Sequence, residues 1–144
     1  MSVIFSRQCE YALQAILYLA LKPDGAMTSI KELTKKLDIP YHFLAKILQN
    51  LANKRLLVSQ RGLKGGFALA RPTSGITLYQ VVEAIDGLDF LTNCVLGFPD
   101  CSSKHPCAVH YQWEDLRKEI HTMLISKSID DFAKETLKAG YNTA

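Results

Sequence analysis

The residues with the clearest capacity for chemistry are three cysteines in the stretch NCVLGFPDCSSKHPCAVH, which runs from Asn93 to His110. Cys94, Cys101 and Cys107 fall within fourteen residues, in the spacing C-x6-C-x5-C. Glycine and proline interrupt the stretch and indicate a loop, on which several side chains can converge on one centre. Thiolates are the soft ligands of iron–sulfur clusters and of zinc. The spacing therefore predicts a metal centre.

The residues by themselves leave other roles for these thiols open. Zinc sites usually include a C-x2–4-C pair, which is absent, although Cys107 and His110 could form half of one. A disulfide is disfavoured in a reducing compartment, and buried free cysteines do not usually cluster on a loop. At a helix start Cys107 and His110 share one face, which makes His110 a candidate fourth ligand. The remaining cysteine, Cys9, lies on an apolar helix face and is expected in the core.

Composition and charge narrow the class of protein. The 144 residues are 48% hydrophobic and 22% charged, which suits one compact domain with an appended element. No apolar run is long enough to span a membrane and no signal-peptide pattern is present, so we expect a cytoplasmic protein without a membrane partner. Residues 1–75 hold eleven Lys/Arg against four Asp/Glu, a balance of +7, while residues 76–144 carry −4. A basic half indicates contact with a polyanion.

The first half of the chain has the pattern of a helix-turn-helix. Apolar residues at helical spacing predict a first helix from Phe5 to Ala20, ended by the sequence PDG. Ser29 and Glu32 are spaced as a reciprocal capping box that opens a short second helix. Pro40 is expected in the first turn of a third helix, which has one predicted apolar face. That face comprises Phe43, Leu44, Ile47, Leu48 and Leu51.

A β-hairpin is predicted directly after the third helix. The segments LLVSQ and FALA read as short strands, and RGLKGG between them contains a glycine pair that permits a tight reversal. A hairpin in this position turns a helix-turn-helix into a winged helix. The predicted fold is therefore mainly α, with a small β-hairpin wing and a long C-terminal helix.

The second half contains three more helical segments. Thr77 and Gln80 form another capping-box pattern, for a helix that ends near Gly87. After the cysteine loop, apolar residues recur at coiled-coil spacing, which predicts a dimerisation helix, with internal packing as the alternative. These are Trp113, Leu116, Ile120 and Met123, with Tyr111 and Leu124 widening the seam. Ser128 caps a last short helix. The expected division is 1–88 for DNA binding, 89–108 for the cysteine loop and 109–144 for the dimerisation and C-terminal helices.

Polar residues on the third helix and the wing predict a DNA-binding surface. Recognition helices read base edges from their N-terminal residues, and a wing reaches the minor groove or the backbone. Arg61 and Lys64 lie at the wing tip, where an arginine can enter a narrow minor groove. The predicted contacts are Ser29, Tyr41, His42, Lys46, Gln49, Arg61 and Lys64.

Four segments together resemble the Rrf2 family of bacterial transcription regulators. They are CEYALQAILYLA, the capping box at 29–32, RGLKGGFALARP and ITLYQVVEAIDG, and the likeness extends from about Phe5 to Ser126. The wing pattern RG-x-x-GG is its most specific element. The resemblance implies a homodimeric winged-helix repressor or activator of a palindromic operator in double-stranded DNA.

The resemblance also implies a cofactor and its ligands. In many family members three loop cysteines hold an iron–sulfur cluster, and those positions match Cys94, Cys101 and Cys107, although the first gap is one residue longer than the commonest form. A two-iron cluster (2Fe-2S) is favoured and a four-iron cluster (4Fe-4S) is the other type. Relatives with two-iron clusters use a histidine at the position of His110. The alternative fourth ligand is Glu10, where some nitric-oxide-sensing relatives place an aspartate.

These observations favour a regulator whose operator affinity is controlled by an iron–sulfur cluster, in response to redox state, iron–sulfur status or nitric oxide. The first alternative is a cluster-free regulator controlled by a partner protein or a small ligand. The second is a small iron–sulfur electron carrier, which leaves the basic half unused. Enzyme activity is not expected, because the four histidines are scattered and no nucleophile–base pair is apparent.

Overall fold

The computed structural model describes residues 4–138, which form six α-helices and one β-hairpin. The helices are α1 (Arg7–Ala20), α2 (Ile30–Leu37), α3 (Tyr41–Asn53), α4 (Leu78–Ile85), α5 (His110–Ile125) and α6 (Ile129–Lys138). The strands are β1 (Leu57–Gln60) and β2 (Gly66–Leu69), and short 3-10 turns occupy Thr73–Gly75 and Asp89–Leu91. The predicted order of elements is confirmed. Among the described residues no helix combines the length and apolarity that crossing a bilayer requires.

Helix caps fix where α2 and α4 begin. The full capping box of α4 is confirmed, because Thr77 and Gln80 exchange side-chain hydrogen bonds with each other's amides at 3.3 and 3.0 Å. At α2 only half of the predicted box forms. The Ser29 hydroxyl accepts the Glu32 amide at 3.1 Å, but the Glu32 carboxylate turns away from Ser29. It accepts from the Tyr18 hydroxyl and pairs with Lys22 Nζ at 2.6 Å, because a charge-assisted bond outweighs one to a neutral amide.

The helix-turn-helix packs on α1 through a continuous apolar core. The turn between α2 and α3 contains Asp38 in the left-handed region, with φ of 54°, and the fully buried Ile39. Pro40 is the N-cap residue of α3, one position before the predicted first turn. The core also takes in residues of α1, α3, α4, β1 and α6. It holds α3 so that its opposite face meets solvent.

Phe43 departs from the predicted apolar face of α3. Leu44, Ile47, Leu48 and Leu51 are buried as predicted, whereas the Phe43 side chain is 57% exposed. Helical periodicity puts Phe43 beside this stripe. It lies in the first turn, at the edge of the stripe, and its side chain meets solvent. The prediction of a buried Phe43 was therefore wrong.

The wing is a two-stranded antiparallel hairpin, and Thr28 pairs with its outer edge. Leu57 pairs with Leu69 and Gln60 with Gly66, which leaves residues 61–65 as the turn. Phe67 also exchanges both backbone hydrogen bonds with Thr28, at 2.8 and 2.9 Å, just before α2. A Cβ on Gly66 would lie 2.2 Å from the Thr28 carbonyl oxygen, and its φ of +144° is rare for other residues. Gly66 thus lets the wing seat against the helix-turn-helix.

A second, smaller core joins α5 to the rest of the molecule. Cys9, Val82 and Leu124 are fully buried together, with Ile120 packed partly against them. The core position predicted for Cys9 is confirmed. Leu124 belongs to this internal core and is not available to a dimer seam, so its assignment to the seam was wrong. The helix α6 then returns to α1, with Ile129 in the main core.

Candidate metal centre and nucleic-acid interface

The cysteine loop folds as a series of turns that bring its thiols together. Gly97 N donates to Cys94 O at 3.0 Å, and Cys101 N donates to Phe98 O at 3.3 Å. A third turn spans residues 102–105, and His110 N donates to Cys107 O at 3.2 Å in the last. Each cysteine therefore begins or ends a turn, which directs the three side chains inward.

The three sulfur atoms form one cluster. Sγ atoms of Cys94, Cys101 and Cys107 all lie within 4.8 Å of one another, and those of Cys94 and Cys107 are 3.6 Å apart. Two thiolates on one tetrahedral metal, with metal–sulfur bonds of about 2.3 Å, lie about 3.8 Å apart. The sulfur positions therefore fit a metal centre. Among residues 4–138, this is the only group of three or more potential ligands found close enough to hold a metal.

His110 lies beside this cluster, next to one of its three sulfurs. Its Nδ1 lies 3.3 Å from Cys101 Sγ, although the sequence suggested a pairing with Cys107. The other ring nitrogen, Nε2, lies 3.9 Å from a Glu114 carboxylate oxygen, one turn further along α5. This separation is longer than a hydrogen bond, so Glu114 is a neighbour of the imidazole and does not fix its orientation. The close group is thus three thiols, with one histidine nitrogen beside Cys101.

Glu10, the alternative fourth ligand, has a different environment within the chain. Its carboxylate lies 3.8 Å from the guanidinium of Arg7 on the same face of α1. Within the described residues of one chain, Glu10 is not part of the cysteine cluster.

The surroundings of the loop shift the pKa values of Cys94 and Cys101 in opposite directions. Hydrogen bonds from the backbone of Phe98, and less strongly of Leu96, lower the pKa of Cys94 to about 7. A backbone hydrogen bond from Cys107 lowers the pKa of Cys101, but desolvation and the adjacent thiols outweigh it and raise that pKa overall. The Cys94 thiol is therefore readily ionised near neutral pH, and metal binding would release a proton from Cys101.

The exposed face of α3 carries the side chains predicted to meet DNA. Tyr41, His42, Lys46 and Gln49 are all exposed, and the rings of Tyr41 and His42 pack edge to face. The Gln49 amide donates to Asn53 Oδ1 at 3.2 Å, which orients it along the helix. Exposed Phe43 joins this surface and was missed because its apolar character suggested the core.

The wing tip presents two cations on a short turn. Arg61 and Lys64 are exposed and flank Leu63, which is completely exposed. Gly65 cannot carry a side chain, because a Cβ would lie 2.1 Å from the Gln60 carbonyl oxygen. Ser29 is exposed at the start of α2, but its hydroxyl is already engaged as the helix cap.

The predicted dimer seam of α5 is divided between two environments. Leu116 and Met123 are about half exposed, as is Tyr111. By contrast, Ile120 packs partly into the second core, and Trp113 Nε1 donates to the Asn93 carbonyl at 2.9 Å. The seam therefore retains an exposed apolar strip, and Trp113 ties α5 to the start of the cysteine loop.

A helix-turn-helix followed by a β-wing, with cations exposed on both, defines a winged-helix DNA-binding protein. Residues 5–135 match the model of the Rrf2 family, described as "Iron-dependent Transcriptional regulator". The chain belongs to the Rrf2 family. It is a transcriptional regulator and not an enzyme.

Individual relatives agree with this assignment. A protein of Aquifex aeolicus (strain VF5), whose name describes an HTH-type transcriptional regulator, is 34% identical over 131 residues and covers 90% of each chain. Among solved structures, CymR, the global cysteine regulator of B. subtilis, has a TM-score of 0.80 at 24% identity and covers 94% of this chain and 99% of its own. T. potens IscR has a TM-score of 0.75 at 23% identity, covering 99% and 93%. These two likenesses show the fold.

Proposed function

We propose that this regulator binds a palindromic operator as a homodimer, and that an iron–sulfur cluster held by the cysteine loop controls its affinity. The ligands are Cys94, Cys101 and Cys107, with His110 as the fourth. The observation that carries the proposal is the convergence of three sulfurs within 4.8 Å, with a histidine nitrogen 3.3 Å from one of them. The family description, iron-dependent, agrees with it.

The donor set favours a two-iron cluster over a four-iron one. Clusters of both types are ordinarily held by four thiolates, and histidine replaces cysteine mainly in two-iron centres. The loop supplies three thiols, and the described fourth cysteine, Cys9, is fully buried in the core, where burial and Asp86 raise its pKa to about 12. Three thiols with a histidine can also hold structural zinc, so the metal itself must be identified.

The position of the loop gives binding a route to the DNA surface. When bound, the cluster would supply bonds that fix the loop turns to the first residue of α5. Trp113 already joins that helix to the loop, and the second core joins it to α1 and α4. An ordered loop would therefore set the angle of α5. In a dimer built on α5, this angle would determine the separation of the two α3 helices, which must match half-sites about 34–36 Å apart.

DNA contact is proposed for α3 and the wing. His42 and Lys46, with Tyr41 beside them, would read base edges in the major groove, because their side chains leave the N-terminal half of α3 toward solvent. Gln49, one turn beyond Lys46, is also exposed and would join this contact. Arg61 would enter the minor groove and Lys64 would contact phosphate. Ser29, at the start of α2, is proposed to contact the DNA backbone. The domain division at residues 88 and 108 follows from these roles.

The proposal is tested by the metal content of single cysteine variants purified without oxygen. Cys94→Ala, Cys101→Ala and Cys107→Ala should each lose iron, acid-labile sulfide and visible absorption, because too few soft ligands remain. Cys9→Ala is the matched control and should keep all three. Wild-type protein that carries zinc without sulfide, and loses only zinc in the variants, would refute the cluster.

A second candidate is a cluster-free regulator controlled by a partner protein or a small ligand. It is favoured by the likeness of the fold to that of CymR, a cysteine regulator. Under this function the three cysteine variants would bind the operator as wild type does. The electron-carrier alternative receives no support from the family.

A further inference from the structure

Phe43 is a large aromatic residue exposed at the start of α3. It lies in the first turn of α3, and its side chain is 57% exposed, whereas its neighbour Leu44 is fully buried. Covering a large apolar side chain, so that water is removed from it, lowers the free energy. Single exposed apolar residues are common on protein surfaces, so the place of Phe43 in the fold decides what it can meet.

Its position points to the major groove. Recognition helices contact base edges through their N-terminal residues, and Phe43 is the third residue of α3. Lys46 follows three residues later, so the two side chains are neighbours on the helix surface. Lys46 is exposed and is well placed to neutralise a phosphate or to bind a guanine edge. A helix docked through Lys46 would therefore bring Phe43 against the same groove.

The chemistry of phenylalanine limits what it can recognise there. It has no hydrogen-bond donor, so it cannot bind phosphate or the polar base edges. The thymine C5-methyl is the apolar group that the major groove presents. Tyr41 is also exposed, but it has a hydroxyl and packs against the His42 ring. Ala45 is half-buried and has only a methyl group.

We propose that Phe43 is a specificity-determining residue that reads a thymine methyl group in each operator half-site. The inference rests on the proposed function, because it requires α3 to lie in the major groove. It predicts a thymine in each half-site whose methyl group matters more than its hydrogen-bonding groups do.

Deoxyuridine substitution tests this directly, since uracil keeps the pairing edge of thymine and lacks only the methyl group. The operator is first selected from a random pool of double-stranded DNA with the wild-type protein. Each thymine is then replaced singly by deoxyuridine. One position per half-site should weaken wild-type binding about fourfold, the effect of uncovering one buried methyl group.

Phe43→Ala should bind the thymine operator more weakly than the wild type does, by at least this factor. The variant should bind the deoxyuridine operator and the thymine operator with the same affinity. Its dependence of affinity on salt should stay as in wild type, because no charge is removed. Leu63→Ala, which removes an exposed apolar residue from the wing, is the matched control and should keep the deoxyuridine effect. Circular dichroism and a thermal midpoint close to wild type would show that Phe43→Ala is folded.

Three results would overturn the inference. One is a specific operator at which no deoxyuridine substitution weakens binding, and another is a deoxyuridine effect that persists in Phe43→Ala. Either would leave α3 as the reading helix. The third is the absence of sequence-specific DNA binding, which would overturn the proposed function as well.

Discussion

The apolar residues of α5 have two different environments, and single substitutions separate their contributions. Leu124 is fully buried with Cys9 and Val82, whereas Leu116 is about half exposed on the same helix. Leu124→Ala removes most of a buried side chain and leaves a cavity, which costs about 2–5 kcal/mol of unfolding free energy. Leu116→Ala should change the unfolding free energy of the monomer by less than about 0.5 kcal/mol, because an exposed side chain makes few contacts within its own chain.

The assay is urea denaturation followed by the fluorescence of Trp113, the single tryptophan, in preparations of matched metal content. Protein concentrations spread over about a hundredfold separate folding from association, because dimerisation stabilises by mass action. Leu124→Ala should lower the midpoint by a similar amount at every concentration. Leu116→Ala should weaken the dimer, so that its loss of stability grows with concentration.

Two results would refute this account of α5. A Leu124→Ala protein as stable as wild type would contradict the internal core. A Leu116→Ala protein with the dimerisation constant of the wild type, measured by sedimentation, would place the dimer interface elsewhere. Replacing Leu116 and Met123 together by charged residues gives the stronger test, since both are exposed and neither should be needed for folding of the monomer.

Three further predictions concern the wing and the fourth ligand. Lys64→Ala should weaken binding to all DNA sequences similarly and reduce the slope of log affinity against log salt by about one. Arg61→Ala should cost about 1–3 kcal/mol more binding free energy on the operator than on random DNA. Equal losses on both DNAs for both variants would contradict this division. Gly66→Ala should separate the wing from Thr28 and reduce operator affinity while α3 stays intact. Gly75→Ala is the control and should do neither, because a Cβ there meets nothing within 4 Å. Faster hydrogen exchange of the Phe67 amide in Gly66→Ala alone would show the separation. His110→Ala should alter the visible spectrum of the cluster and Glu10→Ala should not, and the reverse result would move the fourth ligand to α1.

Local rules explain what the sequence predicted well. The Thr77 cap and the strands around RGLKGG depend on residues close together in the chain, and so does the tendency of the cysteine stretch to form a loop. Cys9 was also predicted correctly, because a small apolar side chain on the buried stripe of a helix has few alternatives.

Contacts between distant segments account for what was missed. Phe43 is a separate case, because periodicity placed it at the edge of the apolar stripe and could not tell which side of that edge faces solvent. Apolar spacing along α5 cannot tell which residues face a partner, and the structure assigns Leu124 to the internal core. The turn at residues 102–105 places Cys101 beside His110, which no count of spacing could predict. The pairing of Phe67 with Thr28 joins segments thirty-nine positions apart.

The central claim is that the cluster controls DNA binding, and operator affinity with and without the cluster tests it most directly. Wild-type protein is purified without oxygen, its iron and sulfide are measured, and affinity for the selected operator is determined before and after chelation at one salt concentration. The account predicts a change of about 5–150-fold, the usual range of coupling between two sites. Cys107→Ala should match the chelated wild type both before and after treatment. An iron- and sulfide-containing protein whose operator affinity is unchanged by chelation, and equal to that of Cys107→Ala, would contradict the account.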